Sequence, residues 1–173
     1  MKEPTLKLLD EERKRGFRPG VIVSFIKDQK LLFLLKKEYK MWQLPQGAIE
    51  NKETFEKTLK REMTEELGKD FVAKCEKKYI FFGEDETEFI PEKYGLTELK
   101  NDKGEDVLMK GKKYYFLAVN AKIDTLDISK TQFDDYIWLT YDQGVFISKR
   151  MYQASKRRIV AKILDLLKAE KLV

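Results

Sequence analysis

The chain has 173 residues, 42% of them hydrophobic and 38% charged, so it can bury a core, and its length predicts one domain, residues 1–173. Its 35 Lys and Arg residues exceed its 30 Asp and Glu residues, and the resulting charge of +5 favours an anionic partner without identifying one. One cysteine and no histidine exclude an internal disulfide, a Cys/His metal cage, and Ser-His or Cys-His catalysis.

The first predicted elements are a hairpin and a helix. Residues 1–16 form a charged N-terminal extension without the apolar core of a signal peptide, and no segment approaches the roughly 20 apolar residues of a membrane span. We therefore expect a cytoplasmic protein that does not contact a membrane. Two apolar runs around residues 27–30 predict two strands joined by a tight turn. The Pro and Gly of the segment "MWQLPQG" predict a loop. A helical pattern follows from about Lys52 to Gly68.

The second half of the chain reads as strands around one irregular segment. Aromatic and β-branched residues predict strands within 71–83, 112–123 and 136–141. Between the first two of these, residues 84–112 are rich in acids, Gly and Pro, which predicts a long mobile insertion that could include a hairpin. Residues 149–172 have the apolar spacing of a closing amphipathic helix.

The helix that ends at Gly68 carries three acids close to its apolar stripe. On a helical wheel, Glu62, Glu65 and Glu66 adjoin the stripe rather than lying opposite it. Carboxylates three and four residues apart repel one another unless a cation joins them, and a hard ion such as Mg²⁺ suits oxygen ligands. The alternative is a solvated surface with Glu/Lys pairs, which the periodicity alone favours. The stripe itself consists of Phe55, Leu59, Met63 and Leu67.

The wider spacing distinguishes these two interpretations. From Gly47, five residues lead to Glu53, and seven more lead to a run of Arg, Glu, an apolar residue, any residue, two Glu, any residue and Gly. This resembles the Nudix box, Gly-x5-Glu-x7-Arg-Glu-U-x-Glu-Glu-x-Gly-U, in which U is apolar. Lys69 departs from the pattern at the last position. The matching residues are Gly47, Glu53, Arg61, Glu62, Met63, Glu65, Glu66 and Gly68.

The resemblance implies an α/β fold, the Nudix α/β/α sandwich with a central mixed sheet, and hydrolysis of phosphoanhydrides. It also implies that Glu62, Glu65 and Glu66 ligate Mg²⁺ or Mn²⁺, that the Gly47 carbonyl joins them, and that Arg61 and Glu53 brace the loop against the helix. The catalytic set implied in this way is Glu53, Arg61, Glu62, Glu65 and Glu66.

Further segments narrow the resemblance to bacterial RNA pyrophosphohydrolases and the related diadenosine polyphosphate hydrolases. These are "WQLPQG", "GFRPGV", "QFDDYIWLTY" and "KRMYQASKRR". By position, the resemblance implies that Arg18, Lys36 and Gln46 contact the substrate and that Tyr152 lies near a stacked base. A basic rim would suit RNA phosphates. This rim consists of Arg18, Lys36, Lys149, Lys156, Arg157 and Arg158.

Two departures concern the substrate and the general base. Gln132 replaces a glutamate of the family, so Asp134, Asp135 or an acid of the insertion would have to take its place. The family's glutamine-bearing run before the aromatic strand is also changed, here reading "KGKK". The sequence therefore predicts a nucleotide hydrolase. The favoured substrate is a 5′-triphosphorylated RNA end, and the next candidate is a dinucleoside polyphosphate. A non-catalytic Nudix-fold module that binds nucleotide or RNA is the alternative from another class, and the oligomeric state stays open.

Overall fold

A computed structural model describes all residues, 1–173, as seven strands and five α-helices with three short 3₁₀ turns. The strands are β1 Phe17–Lys27, β2 Lys30–Lys36, β3 Met41–Gln43, β4 Gln46–Ala48, β5 Ile80–Glu88, β6 Gly111–Asn120 and β7 Asp135–Leu139. The helices are α1 Leu6–Lys14, α2 Phe55–Leu67, α3 Lys69–Val72, α4 Tyr141–Ser148 and α5 Ala154–Ala169. None of these helices has the length and apolar character needed to cross a bilayer.

The long strand β1 organises the sheet. It pairs with β6 in parallel along one side, and with β2 and β4 in antiparallel fashion along the other. The order is β3-β2-β1-β6-β5, with β4 added to β1 and β7 added to β2. The predicted hairpin is confirmed, because β1 and β2 are joined by Asp28 and Gln29, which both have positive φ, as a tight two-residue hairpin turn requires. The predicted mixed sheet is confirmed as well.

Apolar side chains cover both faces of this sheet. On one face, Leu9 of α1 and Met63 of α2 join a core of 19 buried residues that also includes Tyr115 of β6. On the other face, Ile163 of α5 belongs to a second core of 16 buried residues, which includes Phe116 of the same strand. Adjacent residues of β6 thus enter opposite cores, as strand geometry dictates. The α/β/α sandwich predicted by the resemblance follows from these two cores.

Several predicted boundaries need correction. The strand predicted within 71–83 begins only at Ile80, because residues 69–72 form α3 instead. The segment "MWQLPQG" is not simply a loop, since it supplies the short strands β3 and β4. The sequence pattern also missed α4. Its weak apolar patterning conceals it, although a Thr140 and Gln143 capping box marks its start.

The predicted insertion and N-terminal extension both make specific contacts with the rest of the fold. Residues 84–88 continue β5 and residues 111–112 begin β6, so the irregular segment is shorter than predicted. Within it, Lys100 and Asp106 form an isolated antiparallel bridge, and Leu99 and Met109 are buried. The amide of Asp102 donates to Asp10 of α1, which ties the segment to the N-terminal helix.

Candidate active site

The loop that leads into α2 passes directly beneath Glu62. A Cβ placed on Gly47 would lie 2.2 Å from Cγ of Glu62 and 2.3 Å from its Cδ, which is far inside van der Waals contact. Only a residue without a side chain therefore lets β4 approach the helix this closely. The glycine at the start of the motif has a steric reason that can be read from the structure.

Arg61 and Glu53 hold the same loop against α2. Arg61 donates from Nε and Nη2 to the two carboxylate oxygens of Glu53, at 2.9 and 2.7 Å, and also to the carbonyl of Ala48 at 2.9 Å. Glu53 accepts further bonds from the amide of Glu50 and the hydroxyl of Thr58. The bonds from Arg61 are the main cause that lowers the pKa of Glu53 to about 2, and they also raise the pKa of Arg61. This pair therefore stays ionised and fixes the loop geometry.

The three acids of α2 have less compensation than Glu53 has. Glu62 contacts Arg61 at 2.7 Å and Glu65 lies 4.0 Å from it, but that guanidinium already serves Glu53. Glu66 accepts a bond only from the amide of Gln46, at 3.2 Å. Burial and, to a smaller extent, the charges of Glu62 and Glu65 raise the pKa of Glu66, while the amide of Gln46 and the charge of Lys36 lower it, and the net result is a pKa of about 8. Charge at this position is therefore unfavourable without a cation.

The donor set fits a hard divalent cation. It contains only oxygen ligands, it carries more negative charge than Arg61 can neutralise, and it lies beside the Gly47 loop. As arranged in the structure, the carboxylates do not converge as a group of three ligands, because they separate toward different donors. Binding of a cation would require the Glu62 side chain to turn away from Arg61. The ligand set of Glu62, Glu65, Glu66 and the Gly47 carbonyl stays a prediction.

Two hollows lie on either side of Gln46. One, of about 330 Å³, joins Glu66 to the cations Lys36 and Lys156, and its other walls are Tyr39, Gln43, Gln132, Phe133 and Gln153. The second, of about 260 Å³, joins Glu62 and Gly47 to Arg18 and Lys112. Each hollow thus has an acid of α2 at one side and basic residues at the other. An anion held by these basic residues would lie next to the acids.

This arrangement agrees with what the chain resembles. A family model described as the NUDIX domain matches residues 16–163. The chain belongs to the Nudix family. Its fold and this membership confirm the predicted α/β/α sandwich and the predicted hydrolase that acts on phosphoanhydrides.

Individual relatives of this Nudix protein are distant. An RNA pyrophosphohydrolase of Pseudoalteromonas translucida is 26% identical over 73% of this chain and 72% of its own. One from Pseudomonas aeruginosa is 24% identical over 86% of this chain and 95% of its own. Among solved structures, the E. coli dihydroneopterin triphosphate pyrophosphohydrolase has a TM-score of 0.58 at 17% identity, covering 86% of this chain and 97% of its own. A NUDIX hydrolase from Nitrosomonas europaea has a TM-score of 0.56 at 13% identity, covering 90% of each chain. At such identities these structures show the fold alone.

The predicted substrate residues divide into two groups. Arg18, Lys36 and Gln46 line the hollows beside the Nudix helix, so the structure brings them together with the acids. Tyr152 is 63% exposed and lines neither hollow. The next residue, Gln153, lines the hollow that contains Glu66. A base-stacking role for Tyr152 stays a prediction.

The basic rim is less uniform than the sequence indicates. Arg158 donates to Asp85 at 2.5 Å and to the carbonyl of Glu86, so its charge is already compensated. Arg157 contacts only the carbonyl of Met151. Lys156 is half-buried and donates to the neutral side chain of Gln43 at 3.3 Å. Three consecutive basic residues therefore have three different environments.

Gln132 adjoins the acids although it cannot act as a base. Its backbone amide donates to the carbonyl of Glu66 at 3.1 Å, and its carbonyl accepts from Lys36. The carboxylate of Asp134 accepts from the amide of Lys37 instead. Gln132 therefore links Lys36 to the end of the Nudix helix, while Asp134 caps the turn after β2.

Sequence reasoning missed Lys112, Gln43 and Gln153 as residues of the two hollows. The pattern did single out the run that contains Lys112, but it could not tell which of its lysines enters the site. Lys112 and Tyr114 lie on the face of β6 that lines the hollow, whereas Lys113 is paired with Glu84 at 2.8 Å. Strand alternation could have separated the two lysines once β6 was assigned.

Proposed function

We propose that this Nudix hydrolase cleaves a nucleoside-linked phosphoanhydride with the help of Mg²⁺ or Mn²⁺, and that its main substrate is a 5′-triphosphorylated RNA end. One observation carries the proposal. Gln46 lies between two adjoining hollows, and each hollow contains an acid of α2, Glu66 in one and Glu62 in the other, together with basic side chains. A phosphoanhydride is a chain of repelling negative charges, so its hydrolysis needs cations along the chain and an activated water. We call the two hollows together the cleft. It combines basic side chains that could bind phosphates with acids that could hold a cation.

The chain's own residues have separate tasks in this proposal. Arg18 and Lys36 bind and orient the phosphates, and Gln46 separates the two hollows that receive them. Glu53 and Arg61 keep the loop of Gly47 fixed against α2. Glu62, Glu65 and Glu66 would hold a divalent cation, which would supply positive charge to the phosphates and lower the pKa of a bound water. Glu66 forms no ion pair with Arg61 and accepts a bond only from the amide of Gln46, so its charge would depend strongly on that cation.

The choice of RNA rests on the relatives, because those from Pseudoalteromonas translucida and Pseudomonas aeruginosa are named RNA pyrophosphohydrolases. Such a substrate would be met in the cytoplasm. The second candidate, a dinucleoside polyphosphate, has the same phosphate chemistry and would use the same hollows. The two differ in length, since RNA continues past the cleft and a dinucleotide does not.

The deciding experiment is a side-by-side assay of triphosphorylated RNA, diadenosine polyphosphate and nucleoside triphosphate, with Mg²⁺ or Mn²⁺ and identification of the products. We expect RNA to have the largest kcat/KM, and its apparent KM to rise more steeply with salt than that of the dinucleotide, because more phosphate contacts release more counterions. Equal salt slopes and a preference for the dinucleotide would assign the second substrate. Binding without any metal-dependent product release would identify a non-catalytic module.

A double variant tests whether RNA contacts extend beyond the cleft. Lys149 and Arg157 are exposed residues near the start of α5, and neither forms an ion pair like that of Arg158 with Asp85. Lys149→Gln with Arg157→Gln should flatten the salt dependence for RNA and leave dinucleotide hydrolysis nearly unchanged. Equal losses for the two substrates would contradict an extended RNA path.

A further inference from the structure

Three cations meet where β1, β6 and α5 approach one another. Arg18 and Lys112 are register partners on the parallel strands β1 and β6, so their side chains leave the sheet on the same face, and both line the hollow with Glu62. Lys156, in the first turn of α5, lines the adjoining hollow with Glu66. Tyr114 is next on the same face of β6; it borders the Lys112 hollow and a small apolar gap that Lys156 also lines. We call Arg18, Lys112 and Lys156 the inner cation row.

The inner cation row lacks the acids that accompany other basic residues nearby. Lys113 has Glu84 at 2.8 Å, and Lys162 has Asp85 at 3.3 Å. Lys156 donates only to the neutral Gln43, and the one ion pair that the row forms joins Arg18 to Glu50 at 3.5 Å, although Glu62 and Glu66 line the same hollows. Burial lowers the pKa of Lys112, and the charge of Arg18 lowers it further.

The pKa of Lys156 is lowered in the same way, first by burial and then by the charge of Lys112. Two half-buried lysines that repel each other reduce the stability of the fold, since charge is unfavourable in such surroundings unless a counter-charge joins it. An anion bound between them would remove that penalty. The row therefore has the properties of a preformed anion site, and it adjoins the acids of the proposed catalytic cleft.

We propose that Lys112 and Lys156, together with Arg18, bind the part of a phosphate chain that extends beyond the cleavage site, and that they make the enzyme selective for three or more consecutive phosphates. This inference rests on the proposed phosphoanhydride substrate. Each additional phosphate adds negative charge to the ligand, and the inner cation row lines the two hollows that also contain Glu62 and Glu66. A diphosphate would gain less from the row than a triphosphate would.

The chain supplies a matched control for the test. Lys113 is the next residue on the same strand but is paired with Glu84 away from the cleft, so Lys113→Gln changes the net charge equally without entering either hollow. Lys112→Arg keeps the charge and tests for rescue. Lys112→Gln and Lys156→Gln remove the two unpaired charges, singly and together.

The probe is inorganic tripolyphosphate, compared with inorganic pyrophosphate, and the measurement is calorimetric titration at low salt in chelator, where no turnover occurs. Lys112→Gln should weaken tripolyphosphate binding about tenfold or more, as expected for the loss of one charge-assisted contact. Pyrophosphate binding should weaken less, Lys112→Arg should restore most of the affinity, and Lys113→Gln should leave it unchanged. In steady-state assays with a triphosphorylated substrate, Lys112→Gln should raise KM much more than it lowers kcat.

The outcomes separate this inference from the proposed function. Tripolyphosphate binding that depends on Lys112, in a protein that does not hydrolyse triphosphorylated RNA, would support the row and reject the RNA substrate. Hydrolysis of RNA with unchanged KM and tripolyphosphate affinity in both lysine variants would overturn the row and leave the function intact. Equal losses in Lys112→Gln and Lys113→Gln would also overturn it, because a general charge effect would then explain the result.

Discussion

Helices α1 and α2 pack on the same face of the sheet and both carry many charges, but only in α1 does every charged side chain have an oppositely charged partner. In α1, Asp10 lies 2.6 Å from Lys14 and Glu12 lies 2.5 Å from Arg15. Arg13, only 2% exposed, donates to the carbonyls of Ile49 and Glu50 and to Asp102. Among these residues, Arg13 and Asp10 hold the N-terminal segment to the remainder of the domain, because Asp10 also accepts from the amide of Asp102.

In α2, Glu62 and Glu65 share a single arginine that is already engaged with Glu53, and Glu66 has no ion-pair partner. The difference teaches that buried charge has two distinct meanings. Charge with a partner, as in α1, holds the fold together, whereas charge without one, as at Glu66, is where the proposed cation would supply the missing charge. The variants below can break or sharpen this distinction.

The largest effect is expected for the α2 acids. If the proposed metal site is right, Glu65→Gln or Glu66→Gln should lower kcat/KM by about 100-fold or more, because each removes a charged ligand of the proposed cation. Steady-state assays with and without Mg²⁺ or Mn²⁺ measure this. Glu56→Gln is the matched control, since Glu56 is an exposed acid in the first turn of the same helix. Near-normal turnover in both test variants would reject the metal assignment.

The second effect concerns stability, and it tests α1. Arg13→Ala should lower the free energy of unfolding by about 3 kcal/mol, because it leaves buried carbonyls and a partly buried acid without their donor. Denaturant unfolding followed by circular dichroism measures the loss. Lys7→Ala is the control, because Lys7 is exposed on the same helix and its one ion-pair contact, with Glu11, is long at 3.9 Å. Similar stability of the two variants would show that the charges of α1 contribute little.

A third variant asks whether the approach of loop and helix is needed for catalysis. Gly47→Ala should reduce activity about tenfold or more, because the new Cβ displaces Glu62, and a misplaced catalytic group is expected to cost that much. Gly104→Ala has open space around it but a φ of +82°, so it should lower stability by about 1 kcal/mol without lowering activity. Enzyme assays and melting curves on both proteins separate geometry at the site from backbone strain. Full activity in Gly47→Ala would mean that Glu62 is not held by this contact.

The contrast between α1 and α2 also explains what sequence could predict. The acid spacing of α2 and the Nudix pattern identified the site helix, apolar runs identified β1 and β2, and aromatic and β-branched residues identified β6. The sequence could not show that charged side chains of residues 1–16 contact the rest of the domain. The residues they contact, Glu50, Glu86 and Asp102, lie far along the chain. Lys112 was missed for the same reason: its place opposite Arg18 depends on strand register, and no local pattern encodes the pairing of two parallel strands.

The smallest effect is a pair of opposite pH dependences. Burial raises the pKa of Asp10, but the bonds from Lys14 and the amide of Asp102 outweigh it, so its pKa lies below the usual value. The unfolded chain then binds more protons than the folded one, and the stabilisation by Asp10 is present above the unfolded pKa and lost as pH falls through the folded one. Asp10→Asn should therefore lower the melting temperature at pH 7, with the difference shrinking in acid.

Glu66 should behave in the reverse manner when chelator removes divalent ions. Its folded pKa of about 8 lies above its unfolded value, so the folded state binds the extra proton and the charged form opposes folding as pH rises through 8. Glu66→Gln should have the melting temperature of the wild type at pH 4 and a higher one at pH 9. Melting curves at three pH values, run for both variants, measure the two slopes together. A loss of stability in Glu66→Gln at pH 9 would make Glu66 a structural acid like Asp10 and would remove the distinction between the two helices.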